Sequence, residues 1–174
     1  MIIHGHDAGA RLELENFLFR SFPNVSTIAM IMETDAAQSL PEKFERLAGE
    51  VNGAVALLTP DDMTVTLKTG QGSQRARQNV IMEIGWFWGR LGQKRCMLLV
   101  RGDVELPSDL SGVEFHRFKE SPAECSEALR DFIEAQQAAP RCVQCENGGG
   151  SQMRFYTQQH KFYCGIDLHA RTMY

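Results

Sequence analysis

Short apolar runs alternate with helical patterns through the first 138 residues of the chain. The apolar runs predict strands, and they occupy residues 1–4, 25–32, 54–58, 95–100 and 113–118. Five strands that alternate with helices predict an α/β fold with a doubly wound, five-stranded parallel sheet. Right-handed crossovers then place the strand-to-helix loops along one edge of the sheet, where such folds bind ligands. These predicted loops are residues 4–7, 33–40, 59–74 and 101–109.

Composition limits the size and the setting of this fold. With 174 residues, 43% of them hydrophobic, the chain can bury one main core, and we assign residues 1–138 to that domain. The net charge of −4 provides no general attraction for nucleic acid or for an anionic membrane surface. No apolar run approaches the roughly 18 residues of a membrane span, and the first residues lack the basic start of a signal peptide. A cytoplasmic protein is therefore expected. The odd count of five cysteines, with Cys96 and Cys125 in core-like segments, indicates reduced thiols.

One carboxylate, Glu83, stands in an otherwise uncharged run at residues 78–88. The run has helical periodicity, and Gly92 is expected to end the helix. Glu83 lies about 60° from the centre of an apolar stripe that is formed by Val80, Ile84, Phe87 and Leu91. A carboxylate at that position is partly desolvated, and Arg75 and Arg77 precede it to balance its charge, as is common for reactive acids. Spacing alone, however, favours an ordinary surface glutamate at a helix edge.

Other polar residues follow the predicted strands, and each has two interpretations. His6 and Asp7 come after the first strand, where backbone N–H groups at a helix N-terminus can hold phosphates, but Asp7 can equally cap that helix. Asp61 and Asp62 follow the third strand and either bind ribose hydroxyls or form a turn, with the turn slightly favoured. The sequence has neither a Gly-rich dinucleotide motif nor a Walker motif, so a dehydrogenase or a kinase has little support.

Two residues of the helix that carries Glu83 are also ambiguous. Asn79 either caps the helix or touches ligand, and neither role is favoured. Trp86 can stack on an aromatic ring of a ligand, but its neighbours Phe87 and Trp88 favour packing in the core or at a partner interface.

Five short motifs, taken in order, resemble those of a known family. They are IIHGHD at residues 2–7, LPEKFE at 40–45, LLTPDD at 57–62, RARQNVIMEIG at 75–85 and ELPSDLSG at 105–112. The series is similar to that of bacterial TIR-like nucleotide-binding domains, the TIR effectors of cyclic-nucleotide-activated antiphage systems. The resemblance implies a flavodoxin-like fold, self-association through the TIR domain, NAD⁺ as substrate with no cofactor or metal, and a catalytic glutamate that maps onto Glu83. The candidate substrate-binding residues are then Gly5, His6, Asp7, Asp61, Asp62, Arg75, Arg77, Asn79 and Trp86.

The cleavage of NAD⁺ is compatible with a single carboxylate. The bond joins ribose to a positively charged nicotinamide ring, which leaves as a neutral molecule and needs no general acid. An ionised Glu83 can then stabilise the oxocarbenium-like ribose or trap it covalently before water attacks. We therefore expect an NAD⁺ hydrolase in which Glu83 is charged at neutral pH. Two other functions remain open: a non-catalytic TIR module for signalling or assembly, and a transferase that acts on nucleosides.

The composition of the chain changes after residue 138. Residues 139–152 have the Gly, Pro and Ser content of a linker. Residues 153–174 resemble the opening of insertion-element transposases with a DEDD-type catalytic domain, as if such an element had entered the gene. Asp167 would be their first metal-binding acid, but a lone strand cannot hold Mg²⁺. A zinc site is the less favoured alternative, because nearly zinc-finger spacing separates Cys142, Cys145, His160 and Cys164.

Overall fold

The computed structural model of the protein describes residues 1–29, 39–110 and 113–138. Its strands are β1 (Ile2–His4), β2 (Ala54–Leu58), β3 (Asp62–Val65), β4 (Gly72–Arg75), β5 (Cys96–Arg101) and β6 (Phe115–Phe118). Its α-helices are α1 (Ala8–Ser21), α2 (Leu40–Glu50), α3 (Gln78–Leu91) and α4 (Ser126–Ala138). Short 3₁₀ segments occupy Gln93–Arg95, Ser108–Leu110 and Pro122–Cys125.

Four of the strands form a parallel sheet in the order β1-β2-β5-β6. The central strand β2 is buried along its whole length, which explains its uninterrupted apolar run, since helices cover both faces of such a sheet. Ala54 pairs with Cys96 and Leu58 with Val100, so β2 and β5 are in register over five residues. The predicted mixed α/β architecture with parallel strands is confirmed.

Alternating strand residues enter two separate cores, one on each face of the sheet. Helices α2 and α3 cover one face, where the buried residues include Ile3, Phe44, Leu47, Ala56, Leu58, Val80, Ile84, Phe87, Leu98 and Val100. Helices α1 and α4 cover the other face, where the buried residues include Ile2, Leu14, Leu18, Val55, Leu57, Met97, Leu99, Leu129 and Ile133. The site described below belongs to the face of α2 and α3 and to the carboxyl edge of the strands.

The second strand of the sequence prediction lies only partly within the described residues. Ala29 forms an isolated parallel bridge with Ile2, and the N–H of Ile2 donates to the carbonyl of Ile28 at 2.8 Å. These contacts place the end of the segment at residues 25–29 beside β1. Residues 30–32 lie outside the described part of the chain, so the strand predicted at residues 25–32, and with it a sheet of five strands, stays a prediction.

The segment at residues 59–74 is not the plain loop that the sequence predicted. Strands β3 and β4 pair in antiparallel fashion from Asp62–Arg75 to Val65–Gly72, as a hairpin separate from the main sheet. The prediction was wrong because the alternating Met, Thr, Val and Thr pattern of residues 63–66 is short, and its partner strand is Gly, Ser and Gln, which carry little strand preference of their own.

Helix ends follow the local signals. Asp7 caps α1, and its Oδ1 accepts a hydrogen bond from the N–H of Ala10 at 2.9 Å. Glu42 closes a capping box at the start of α2, where its carboxylate accepts the N–H of Ser39 at 2.8 Å. Gly92 ends α3 with φ of 88°, a conformation that favours glycine. The cap at Asp7 and the helix end at Gly92 confirm two of the predictions made from the sequence.

Three other expectations concern membranes, thiols and the tail. Within residues 1–29, 39–110 and 113–138, no helix has both the length and the apolar character to cross a membrane. Cys96 and Cys125 are free thiols, as expected. The predicted linker at 139–152, the transposase-like tail at 153–174 and the alternative zinc site lie outside the described residues.

Candidate active site

Glu83 lies in the second turn of α3 and is buried. It is 2% exposed, on a helix that packs with α2 over the same face of the sheet. Its Oε2 has no hydrogen-bond partner among the described residues. The sequence placed Glu83 on the shoulder of the apolar stripe, and the fold buries that position. A buried carboxylate oxygen without a partner is costly for folding, which makes Glu83 a candidate site residue.

The environment of Glu83 changes its affinity for protons. Burial raises the pKa of the Glu83 carboxyl from 4.5 to about 7, and the nearby ammonium of Lys43 on α2 partly offsets this effect. The carboxyl is therefore divided between its neutral and ionised forms near pH 7, and not fully charged as the sequence argument required. Such a group can change its charge in response to a neighbouring cation.

The prediction that Arg75 or Arg77 balances Glu83 was wrong. The guanidinium of Arg75 forms two hydrogen bonds with the carboxylate of Glu105, the shorter of 2.6 Å, and the pair is exposed. Arg77 occupies the N-cap position of α3 and its guanidinium contacts Nε2 of His6. Both arginines precede α3, where the chain runs along the carboxyl edge of the sheet, whereas the cation that affects Glu83 is Lys43 of α2.

Asp61 joins the loops that follow β1 and β2. Its Oδ2 accepts hydrogen bonds from the N–H of His6 at 3.2 Å and from the hydroxyl of Thr59 at 3.1 Å. A Cβ built on Gly5 would lie 1.7 Å from the same oxygen, so glycine is needed for this close approach. Gly5, His6, Asp61 and Arg77 thus form one cluster at the sheet edge, which the structure brings together from three separate motifs.

Asp7 has two functions at this edge. Besides capping α1, it forms an ion pair with Arg101 at the end of β5, with 2.5 Å between Oδ2 and a guanidinium nitrogen. Arg101 also donates to the carbonyl of Lys119 at 3.3 Å. The capping interpretation of Asp7 is confirmed, and the ion pair ties the first helix to the carboxyl end of a central strand.

The remaining candidates lie around this cluster. Asp62 is exposed and begins β3, one residue beyond the turn. Asn79 does not occupy the N-cap of α3, because Arg77 does. Trp86 packs with its ring centroid 5.3 Å from that of Phe44 and 5.2 Å from that of Phe87. The packing interpretation of Trp86 is therefore confirmed.

Sequence reasoning missed Lys43, Thr59 and Arg101. Lys43 and Thr59 lie within the quoted motifs, and Arg101 begins a predicted edge loop. Their positions could have been suspected, but their partners depend on which elements pack together. The described residues hold no group of three or more His, Cys, Asp or Glu side chains that could bind a metal ion.

Two features are therefore candidates for the site. The edge cluster provides the cationic group of Arg77 near the N-terminus of α1, and the interior provides the carboxyl group of Glu83, whose pKa is raised to about 7. A carboxylate of this kind can stabilise a cation that develops during a reaction, provided that the cation comes within contact distance.

Comparisons with known proteins show the family of this domain. The family described as "CAP12/Pycsar effector protein, TIR domain" matches residues 1–120. The uncharacterised protein YuaY of Escherichia coli K12 is 39% identical over 119 residues, which cover 68% of this chain and 39% of that protein. The Pycsar effector protein PaPycTIR of Pseudomonas aeruginosa is 45% identical over 80 residues, 45% of this chain and 25% of that protein.

Two further comparisons concern length and fold. CD-NTase-associated protein 12 of Sphingobacterium faecium is 34% identical over 65 residues, 37% of this chain and 20% of that protein. The chain therefore spans about two fifths or less of the length of these relatives. The metal-soaked flavodiiron core of Flv1 from Synechocystis shares the fold alone, with a TM-score of 0.50, 17% identity, and coverage of 80% of this chain and 36% of that one. With the family match extending over most of the described α/β domain, the chain belongs to the TIR-domain family of CAP12 and Pycsar effector proteins.

Proposed function

We propose that this TIR domain hydrolyses NAD⁺ at the bond between nicotinamide and ribose, as an effector in antiphage defence. The observation that supports the proposal most directly is Glu83: a buried carboxyl, on the helix after the central strand β2, with one oxygen that has no hydrogen-bond partner among the described residues. Relatives named as Pycsar effectors support the setting in defence.

The charge on NAD⁺ makes one carboxyl sufficient. The nicotinamide ring carries a positive charge that it loses on leaving, so no acid has to protonate the leaving group. The ribose carbon that is left behind becomes electron-poor, and the Glu83 carboxylate either stabilises it electrostatically or bonds to it until water attacks. Because the pKa of Glu83 is raised to about 7 by burial, the cationic ring would draw it toward the ionised form. Substrate binding thus charges the group that the reaction needs.

The remaining parts of the site have roles that follow from their chemistry. The guanidinium of Arg77, beside His6 at the edge, suits the diphosphate of the substrate. Asp61 keeps the loops after β1 and β2 together, so it orients the residues that surround the diphosphate. Glu83 is 2% exposed, and the ribose can therefore contact it only after the packing around α2 and α3 opens. Activity should accordingly depend on conditions that open the site.

The test is the loss of NAD⁺ and the release of nicotinamide by the purified full chain. We expect turnover by the wild type and its loss in Glu83→Gln, which keeps the size of the side chain and removes its charge. Glu134→Gln, at an exposed position of α4, is the matched control and should keep full activity. Turnover of free nucleosides in place of NAD⁺ would indicate the transferase. Intact NAD⁺ with concentrated, self-associated protein would indicate a non-catalytic module, and equal activity of both variants would remove Glu83 from the mechanism.

A further inference from the structure

The hairpin of β3 and β4 has one edge that is already occupied. The N–H of Glu105 donates to the carbonyl of Gln74 on β4 at 2.8 Å, and Arg75 forms a parallel bridge with Glu105. The ion pair between the same two residues reinforces this contact. The outer edge of β3 pairs with no other strand in the described parts of the chain.

The backbone groups on that edge can be assigned from the pairing pattern. The N–H of Thr66 donates to the carbonyl of Gln71 at 2.9 Å, so Thr66 and Gln71 form a hydrogen-bonded pair. Hydrogen-bonded and non-hydrogen-bonded pairs alternate along an antiparallel ladder. Thr64 therefore also turns its backbone groups inward, toward Ser73. The N–H and C=O groups of Met63 and Val65 consequently point away from the hairpin.

The same residues carry an exposed apolar surface. Met63 is 71% exposed and Val65 is 61% exposed, and Leu67 in the following turn is 99% exposed. Residues 63–67 contain no charge. Proteins normally protect a free strand edge with a charged side chain, a proline or a bulge, because an unprotected edge pairs with another strand. None of these devices occurs between Met63 and Leu67.

The sequence of this strand is complementary to itself. An antiparallel pair of two copies centred on Thr64 places Met63 of each copy opposite Val65 of the other, and these are the residues whose backbone groups point outward. The two Thr64 residues then face each other as a non-hydrogen-bonded pair. Asp62 lies opposite Thr66 of the second copy, close to the turn that carries the partner's Lys68, so opposite charges flank both ends of the pair.

We propose that the outer edge of β3 is an interface with a second copy of this chain, in which the two hairpins join into one four-stranded antiparallel sheet. The hairpin begins directly after Asp61 and ends two residues before Arg77, both of which belong to the edge cluster. Association through β3 therefore acts on segments that are continuous with the candidate site. The pairing itself and its tests do not depend on the proposed cleavage of NAD⁺.

The first test measures mass in solution by light scattering over a concentration series. We expect the wild type to reach twice the 19.6 kDa of one chain. Val65→Pro should remain monomeric, because it removes an N–H that points to the second copy and none that the hairpin uses. Val65→Lys should also remain monomeric, since a charge on the edge opposes pairing. The matched control is Phe19→Lys, which changes a residue of α1 that is 78% exposed and should leave the dimer intact.

Two results of that test would overturn the proposal. One is a wild type that stays monomeric throughout the series. The other is association that both substitutions at Val65 leave unchanged. Circular dichroism of each variant would establish that it is folded.

The second test examines whether the pair of strands is centred on Thr64, as the proposed register requires. Thr64→Cys should form a disulfide between two chains on mild oxidation, because directly opposed residues of a non-hydrogen-bonded pair have Cα atoms about 4.5 Å apart, within disulfide range. Wild type treated in the same way controls for the five native cysteines. A disulfide within one chain, between residue 64 and a cysteine beyond residue 138, would identify the chain's own tail as the strand partner and overturn the proposal.

Discussion

The carboxylate of Asp61 fills the space beside Gly5 that any larger residue would occupy. A Cβ at residue 5 would lie 1.7 Å from Asp61 Oδ2 and 2.9 Å from its Cγ. This contact allows one oxygen of Asp61 to accept hydrogen bonds from both His6 and Thr59. The loops after two neighbouring parallel strands are thus held together at the edge where the fold binds ligands.

Gly5→Ala should displace Asp61. The added methyl group forces the carboxylate to rotate away, and two hydrogen bonds to a charged acceptor are lost, at a cost of about 1–3 kcal/mol in the free energy of unfolding. The loss of NAD⁺ turnover should exceed what this destabilisation explains. Urea denaturation and initial rates measure the two effects. Gly49→Ala is the control, because nothing lies within 4 Å of a Cβ at that helical position, and it should stabilise the chain slightly.

Lys43→Gln should move the pH profile of NAD⁺ turnover to higher pH. The ammonium of Lys43 opposes the rise in the pKa of Glu83 that burial causes. Without that cation the pKa of Glu83 rises further, and a smaller fraction is ionised at pH 7. The variant should therefore be several-fold less active at pH 7 and recover activity in alkaline buffer. Arg75→Gln, which breaks the exposed pair with Glu105, should leave the profile unchanged. Equal profiles for Lys43→Gln and wild type would contradict this assignment.

Glu83→Gln should make the domain more stable above neutral pH while it abolishes turnover. The pKa of Glu83 is raised in the folded state, so the folded protein binds this proton more tightly than the unfolded chain. This tighter proton binding stabilises the folded state fully below pH 4.5, the ordinary pKa of a glutamate. The stabilisation is lost as the pH rises through about 7, the pKa of Glu83 in the folded state. The difference between 4.5 and about 7 corresponds to roughly 3 kcal/mol.

Glutamine does not ionise in this pH range. The free energy of unfolding of Glu83→Gln, relative to that of wild type, should therefore increase from pH 4 to pH 8 by up to roughly 3 kcal/mol. Urea denaturation of both proteins at the two pH values measures it, and all other titrating groups cancel in the comparison. An advantage that does not change with pH would show that Glu83 titrates normally.

Asp7→Ala and Asp7→Asn should separate the two roles of Asp7. Alanine removes the cap on Ala10 and the ion pair with Arg101, and we expect a loss of about 1–2 kcal/mol. Asparagine keeps an oxygen that can accept the N–H of Ala10 and loses only the charge, so its loss should be about half as large. Thermal and urea unfolding check the order of the two variants. Equal losses would assign the stabilisation to the ion pair.

Most of the fold follows from short-range patterns. The apolar run at residues 54–58 is buried along its whole length as β2, because a buried parallel strand requires apolar residues at every position. Gly92 ends α3 with a positive φ, a conformation that favours glycine. The hairpin of β3 and β4 has no comparably specific sequence pattern. Its second strand, Gly-Ser-Gln-Arg, is a strand only because Asp62–Val65 pairs with it.

The candidate site divides in the same way. The sequence by itself determined that Glu83 lies on a helix after a buried strand, beside an apolar stripe, because helical periodicity assigns each residue to a face of the helix. It also determined that His6, Asp61 and Arg77 occur at one edge of the sheet, because the order of parallel strands and helices assigns each loop to an edge. Only the tertiary structure decided that Glu83 is buried, that Lys43 rather than an arginine is its nearby cation, and that Asp61 joins His6 to Thr59. Periodicity gives the direction in which a side chain points. The group that it meets there, and therefore its charge, depends on which element packs against it.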